Sequence, residues 1–459
     1  MSFLEKIKLS HGKEGGIIEM VSLALPMVIS TACDGIMTFT DRLFLSALSP
    51  LHMNAALAGG LVVQSLVFFF FGLIGYSTAL AAQYYGSGRR EFSSVTATQS
   101  ALIAFLACPV ILLAFPVVEK FVYMSDIEPS QLNLQIIYMN ILIFGALPGL
   151  LRHTLSCFFS GTGRTGIVMV ASILAMLVNV GLDYIFIFGK FGFPPLGIKG
   201  AAFATICGSL SSFLFLLFVY LLPDNRKSFS VFKSFKFNLE VMKKLLYFGY
   251  PAGLEMFLNF LAFNMMVFLF HSQGGVVATA SSIMFSWDLI SFIPLLGIEI
   301  AVTSLVGRYI GAGKVDIAHR SAMSGIKTGL WFSFIVLIAF LFFSEDLVMV
   351  FAPQQRNDLF IEATPMAASM IKIASIYVLA EAMMVSLVGA LRGAGDTHWT
   401  MVASVAFNWL AVLFLYIIFN ILSMSAIAAW ASLVLSFMIF CFFLFLRYRS
   451  GKWKEIKVL

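Results

Sequence analysis

The sequence predicts an all-α integral membrane protein with twelve transmembrane helices in two parallel six-helix repeats. Three observations predict it. Of 459 residues, 60% are hydrophobic and only 11% are charged, against about 25% charged in soluble domains. The apolar residues fall in continuous runs of spanning length, not in the short alternating segments of a membrane barrel. Motifs of the first half also recur in the second half at a near-constant offset.

The first six spans are expected at 17–45, 54–82, 93–118, 132–158, 165–188 and 197–222. The second six are expected at 245–271, 276–306, 318–343, 369–391, 398–420 and 424–446. Between them, 223–244 reads PDNRKSFSVFKSFKFNLEVMKK, the one long polar, basic stretch inside the chain. The expected organisation is therefore an N-terminal lobe over 1–222, a linker over 223–244 and a C-terminal lobe over 245–459.

Span 1 carries Pro26 and two carboxylates, Asp34 and Asp41, seven residues apart and so on one helix face. Span 2 runs into Gln83–Arg89 (QYYGSGR), a tight turn. It lacks the preceding strand and the Lys-Ser/Thr ending of a phosphate loop. Span 4 holds Pro148 and Arg152. Span 5 places Asn179 and Asp183 one turn apart, so an amide oxygen and a carboxylate converge. Span 7 has Glu255 one turn after Pro251. Span 8 has Pro294, with Asp288 and Glu299 eleven apart on one face. Span 10 sets Tyr377 one turn before Glu381. Kinks are expected at Pro26, Pro148, Pro251 and Pro294.

The repeat is explicit. QYYGSGR at 83–89 matches RYIGAGK at 308–314, and Pro26 matches Pro251, both at an offset of 225. GTGRT at 161–165 matches GAGDT at 393–397, and MVASI at 169–173 matches MVASV at 401–405, both at 232. Ordered matches at two nearly equal offsets imply a duplicated six-helix unit. Because six is even, the repeats are parallel.

The net charge of +6 is a matter of topology rather than of a nucleic-acid face. Of 29 Lys and Arg, 22 fall in alternate connections, from Lys6, Lys8 and Lys13 to the C-terminal segment. The opposite connections hold Lys120, Lys190, Lys199, Arg356 and Lys372. Both termini are therefore expected on the cytoplasmic side. The five cysteines form no CxxC pair and read as packing residues.

Seven carboxylates fall within spans: Asp34, Asp41, Asp183, Glu255, Asp288, Glu299 and Glu381. Each is costly in a bilayer unless compensated. Arg42 and Arg152 are the basic residues available inside spans, and Arg42, next to Asp41, is expected to point elsewhere on the helix. Oxygen ligands spaced like Asn179 and Asp183 suit a hard cation such as Na⁺. They equally suit a carboxyl that exchanges a proton, since burial disfavours its charged form.

These residues resemble the multidrug and toxic compound extrusion (MATE) transporters over nearly the whole chain. The resemblance rests on Pro26 with Asp41, on Asn179-Val-Gly-Leu-Asp183, and on Tyr377-x-x-x-Glu381 running into LRGAGDT at 391–397. It implies V-shaped lobes around a cavity with alternating access. It also implies an N-lobe cation site at Asp41, Asn179 and Asp183, with Thr205 of GAAFAT as a further ligand. Asp34 joins that group by its helix face. Tyr377 and Glu381 match the C-lobe aromatic–carboxylate pair, where the family often has Asp. Many bacterial members carry a Glu two turns after the span-7 proline. This chain has Asn259 there and its acid one turn earlier, at Glu255. Asp288 and Glu299 have no recognised family counterpart and complete the C-lobe candidates. Pro26 and Pro251 are the candidate hinges.

The expected function is a secondary active antiporter that exports organic, cationic, amphipathic compounds in exchange for H⁺ or Na⁺. The expected setting is the inner membrane of a bacterium, with the protein a monomer needing no cofactor beyond the coupling ion. The alternative is a lipid-linked or polysaccharide flippase. Its anionic cargo would call for a basic cavity, which Arg42 and Arg152 alone do not make. No HExxH, His cluster or nucleophile motif in the spans suggests an enzyme.

Overall fold

A computed structural model describes residues 13–124, 127–352 and 358–459; Lys6, Lys8 and Arg356 lie outside them. Among the described residues the secondary structure is helical throughout. The helices are α1 Ile17–Ser46, α2 Pro50–Gly75, α3 Ser77–Gly86, α4 Arg90–Tyr123, α5 Pro129–Leu142, α6 Ala146–Gly161, α7 Thr165–Phe188 and α8 Ile198–Leu221. Two short helices follow, α9 Pro223–Ser228 and α10 Val231–Ser234. Then come α11 Leu239–His271, α12 Gly275–Gly311, α13 Val315–Phe342, α14 Ser344–Met349, α15 Asp358–Ala374, α16 Val378–Ala394, α17 Thr397–Tyr416 and α18 Ala426–Arg449.

Eleven runs among the described residues are long and apolar enough to cross a membrane, and the α15–α16 pair, bent by 51°, makes a twelfth. This twelfth span begins eleven residues before the apolar run that predicted it. Its first turns, DLFIEATPMAA, carry Asp358, Glu362 and Pro365 and so give no apolar signal.

α1 continues through Pro26, α11 through Pro251 and α12 through Pro294. Each still removes one backbone donor. Only Pro148 adjoins a break, because its missing N–H leaves the Phe144 carbonyl unserved and Ile143–Gly145 tightens into a 3₁₀ turn.

The chain divides into two compact units. One comprises Leu25–Phe257 with Gly307–Gly313, and the expected linker lies wholly inside it. The other comprises the chain up to Ala24, Leu258–Val306 and Lys314–Lys457. The borders therefore fall within α1, α11 and α12.

In the first unit, small residues let helices meet backbone to backbone. A Cβ on Gly208 of α8 would lie 3.0 Å from the Ala175 carbonyl oxygen and from Asn179 Cβ of α7. Gly200 of α8 lies equally tight against Phe186 of α7. This contact holds Asn179 against α8. A cluster of Leu45, Ala56, Tyr138, Ile187, Ile198 and Ala202 closes the core around it.

The second unit has an apolar core with Phe270, Met284, Ile371, Phe419, Trp430 and Leu433 among its members. Trp430 is 2% exposed and donates its indole N–H to the Met370 carbonyl at 2.9 Å, so its polar edge is satisfied.

Candidate functional site

In the first unit, α1, α2, α5 and α8 enclose a cavity of about 330 Å³. Asp41, Arg42, Gln64, Tyr138, Thr205 and Ser209 supply its polar lining. Asp41 is buried, and the Thr205 hydroxyl lies 3.0 Å from its Oδ2. The same hydroxyl lies 3.0 Å from the Ala201 carbonyl, so its single proton is shared between two acceptors.

Behind Asp41, Asn179 and Asp183 on α7 are both 0% exposed. The Asp183 carboxyl faces Asp41 and the Asn179 amide. None of these approaches meets hydrogen-bond geometry. Asp41 Oδ1, both Asp183 oxygens and both Asn179 amide atoms are buried without a hydrogen bond. Native structures seldom leave one such atom orphaned, and here five adjoin. Two neighbouring carboxylates cannot both stay charged out of water unless a proton or a cation comes between them. Asp41, Asp183 and the Asn179 carbonyl together offer the oxygen donors a hard cation requires.

Arg42 lines the same cavity as Asp41, contrary to the expectation that it points away. Tyr138 and Gln64 were not singled out in the sequence. They sit in apolar runs on α5 and α2 with no periodic partner, and only the fold brings them to Asp41.

Asp34 does not join this group. It pairs with Arg152 of α6 at 2.6 Å and is half-exposed. The shared helix face it has with Asp41 carries it past the cavity to the one arginine of that helix.

In the second unit, Asp288 of α12 and Glu381 of α16 face a cavity of about 30 Å³ together with Tyr377, Met384 and Phe437. That is room for about one water. Glu381 Oε2 and Asp288 Oδ1 are buried without a hydrogen bond. Tyr377 stands one turn before Glu381, at the N-terminal cap of α16. It sits at the 51° bend, where its carbonyl accepts from the Glu381 N–H at 2.8 Å and its ring stacks on Phe437 at 5.8 Å.

The other C-lobe candidates go elsewhere. Glu299 forms an ion pair with Arg392 of α16 and does not line the small cavity with Asp288. Arg392 lies one residue beyond the expected span 369–391. Asn259 donates to Ser404 Oγ at 2.7 Å and accepts from the Asn408 amide at 3.3 Å, a neutral chain between α11 and α17. Glu255 is 3% exposed on α11 and belongs to the first unit. The LRGAGDT segment is structural: Gly395 takes φ +95°, and Asp396 receives Arg447 Nε at 2.8 Å and a terminal nitrogen at 3.0 Å.

Apolar spanning helices around clustered, unsatisfied carboxylates define the class, an all-α membrane transporter. The MatE family model matches residues 26–185 and 251–417, and the chain belongs to that family. It is 26% identical over 393 residues to the multidrug resistance protein MdtK of Yersinia enterocolitica, covering 85% of each chain. It is 25% identical to the multidrug resistance protein PmpM of Pseudomonas aeruginosa, over 85% of this chain and 81% of that one. Its fold matches an outward-facing multidrug resistance MATE transporter of the MOP superfamily, with a TM-score of 0.87, 20% identity and 98% of each chain covered. A MOP superfamily transporter from Pyrococcus furiosus matches with the same TM-score, identity and coverage.

Proposed function

We propose that this multi-pass membrane protein exports organic, cationic, amphipathic compounds in exchange for H⁺ or Na⁺, with both termini on the cytoplasmic side. One observation carries the reading: two fully buried polar residues, Asn179 and Asp183, meet Asp41 at the wall of a 330 Å³ cavity with five polar atoms unsatisfied. A proton or Na⁺ bound there relieves that cost, so ion binding favours whichever conformation brings the three residues together. A cation in the cavity opposes the bound ion electrostatically. By reciprocal linkage each then weakens the other, which is the requirement for exchange. The family membership and the multidrug-resistance relatives support the same reading.

Proteoliposomes loaded with an ethidium-like dye test it. The expected result is dye movement against its own gradient when a Na⁺ gradient at equal pH, or a pH gradient without Na⁺, is imposed in the opposite sense. Movement indifferent to both gradients overturns the exchange.

Asp34 takes no part in this scheme. Its carboxylate is already compensated by the ion pair with Arg152. Asp34→Asn is expected to leave dye export within about twofold of the unaltered protein, in the same proteoliposome assay. Loss of export in that variant would return Asp34 to the coupling group.

A further inference from the structure

The segment from Pro223 to Asn238 is a folded element with two distinct faces. One face is fixed to the bundle. Ser94 Oγ of α4 donates to the Phe229 carbonyl at 2.6 Å. The hydroxyls of Thr98 and Ser234 lie 3.1 Å apart. The Gln99 amide donates to the Lys236 carbonyl at 2.9 Å and accepts from the Asn238 N–H at 3.2 Å. Phe229 and Val231 are 1% and 0% exposed. Phe229 sits against Phe158 at 5.1 Å, with the Arg164 guanidinium 5.1 Å from its ring.

The other face has no protein cover. Phe232, Phe235 and Phe237 are 61%, 55% and 64% exposed, and Lys227, Lys233 and Lys236 of the same segment are exposed too. These three lysines make no ion pair among the described residues. Arg226 lies 5.1 Å from the Phe232 ring, and Phe232 meets Phe235 at 6.3 Å. The 223–244 stretch holds six basic residues against two acidic ones, and one of the acids, Glu240, is taken by Lys244 at 2.8 Å.

The depth of the element also matters. It is tied to the first turns of α4, a 34-residue helix. Such a helix is about 51 Å long, against a hydrocarbon core of about 30 Å. The first turns of α4 therefore have ample length to stand in the headgroup layer. Phenyl rings interleaved with lysines on one exposed face at that level match the chemistry of the interface: rings enter the acyl boundary and ammonium groups meet phosphates.

We infer that this face is a docking surface for the headgroups of anionic phospholipids in one leaflet. Charge complementarity selects the lipid, and the hydrogen bonds to α4 hold the face in place before lipid arrives, which lowers the ordering cost of binding. The surface is independent of the carboxylate site and of the transport reading.

The test titrates the full chain in detergent with phosphatidylglycerol and with phosphatidylcholine, each carrying a fluorescent tail, and follows anisotropy. The unaltered protein is expected to prefer phosphatidylglycerol. The Lys227→Gln/Lys233→Gln/Lys236→Gln variant is expected to lose at least about tenfold in affinity for phosphatidylglycerol, with phosphatidylcholine unchanged. Phe232→Ser/Phe235→Ser/Phe237→Ser is expected to weaken both lipids. The three lysines changed to arginine are expected to keep the preference, which separates charge from folding. A wild-type preference in the glutamine variant overturns the proposal, as does loss of preference in the arginine variant. Displacement of the lipid by millimolar inorganic phosphate also overturns it, since that would mark a small-anion site.

Discussion

Asp41→Asn is expected to abolish cation-driven dye export and to make the protein harder to unfold. Both effects have one cause. Asp41 and Asp183 face each other with three carboxylate oxygens buried and unsatisfied. An amide at position 41 keeps an oxygen for the Thr205 hydroxyl and adds an N–H that donates to Asp183. Repairing a buried unsatisfied group is worth about 1–3 kcal/mol, so thermal unfolding in detergent should move upward. The repaired site no longer needs a proton or Na⁺. Switching a two-state protein from 1:99 to 99:1 takes about 10⁴-fold preferential binding, and an Asp183 carboxylate held by the new amide no longer offers the ion that preference. Export should fall to passive leak. The unaltered protein should be stabilised by its coupling ion, by about 2.7 kcal/mol at a hundred times the dissociation constant. The Asn variant should be indifferent to it. A variant that is less stable and still exports at the normal rate would contradict the whole account.

Asp396→Ala is expected to cost up to about 3 kcal/mol of stability, because it strands a mostly enclosed guanidinium. Asp396 is 5% exposed, and Arg447 grips both its oxygens from α18 while itself 18% exposed. The loss should appear as a large fall in the unfolding temperature and in yield from the membrane. Asp396→Leu/Arg447→Met should recover most of it, since a well-packed apolar pair removes both desolvation costs at once. A single variant that costs less than about 1 kcal/mol would show the pair to be replaceable by solvent.

Composition and run length make the helices legible, because a bilayer leaves the chain few other structures. The spans most fully read were those with sharp apolar edges, such as Thr165–Phe188, predicted at the same residues. The start of α15 was illegible because Asp358, Glu362 and Pro365 interrupt its first turns.

Within the site, i,i+4 spacing was enough to bring Asn179 beside Asp183 on one helix. It could not say which acids would be neutralised by distant arginines. Asp34 meets Arg152 across 118 positions, and Glu299 meets Arg392 across 93. A carboxylate destined for an ion pair has the same local sequence as one left for an ion. Only tertiary structure separates them. Tyr138, Gln64 and the pairing of Asp288 with Glu381 were hidden for the same reason, since each depends on contacts between helices far apart in the chain. LRGAGDT drew attention as the most specific family motif, yet its Arg392 and Asp396 are engaged in ion pairs.

The central claim is that the Asp41–Asn179–Asp183 group holds one monovalent ion that leaves when an organic cation arrives. Ion release measures this directly. Purified protein at fixed pH in weak buffer is saturated with the ethidium-like dye, while released protons are followed by a pH indicator and bound ²²Na⁺ by filtration. The account predicts release of H⁺ or Na⁺ from the unaltered protein and none from Asp41→Asn. No release of either ion from the unaltered protein, or equal release from the variant, would contradict it.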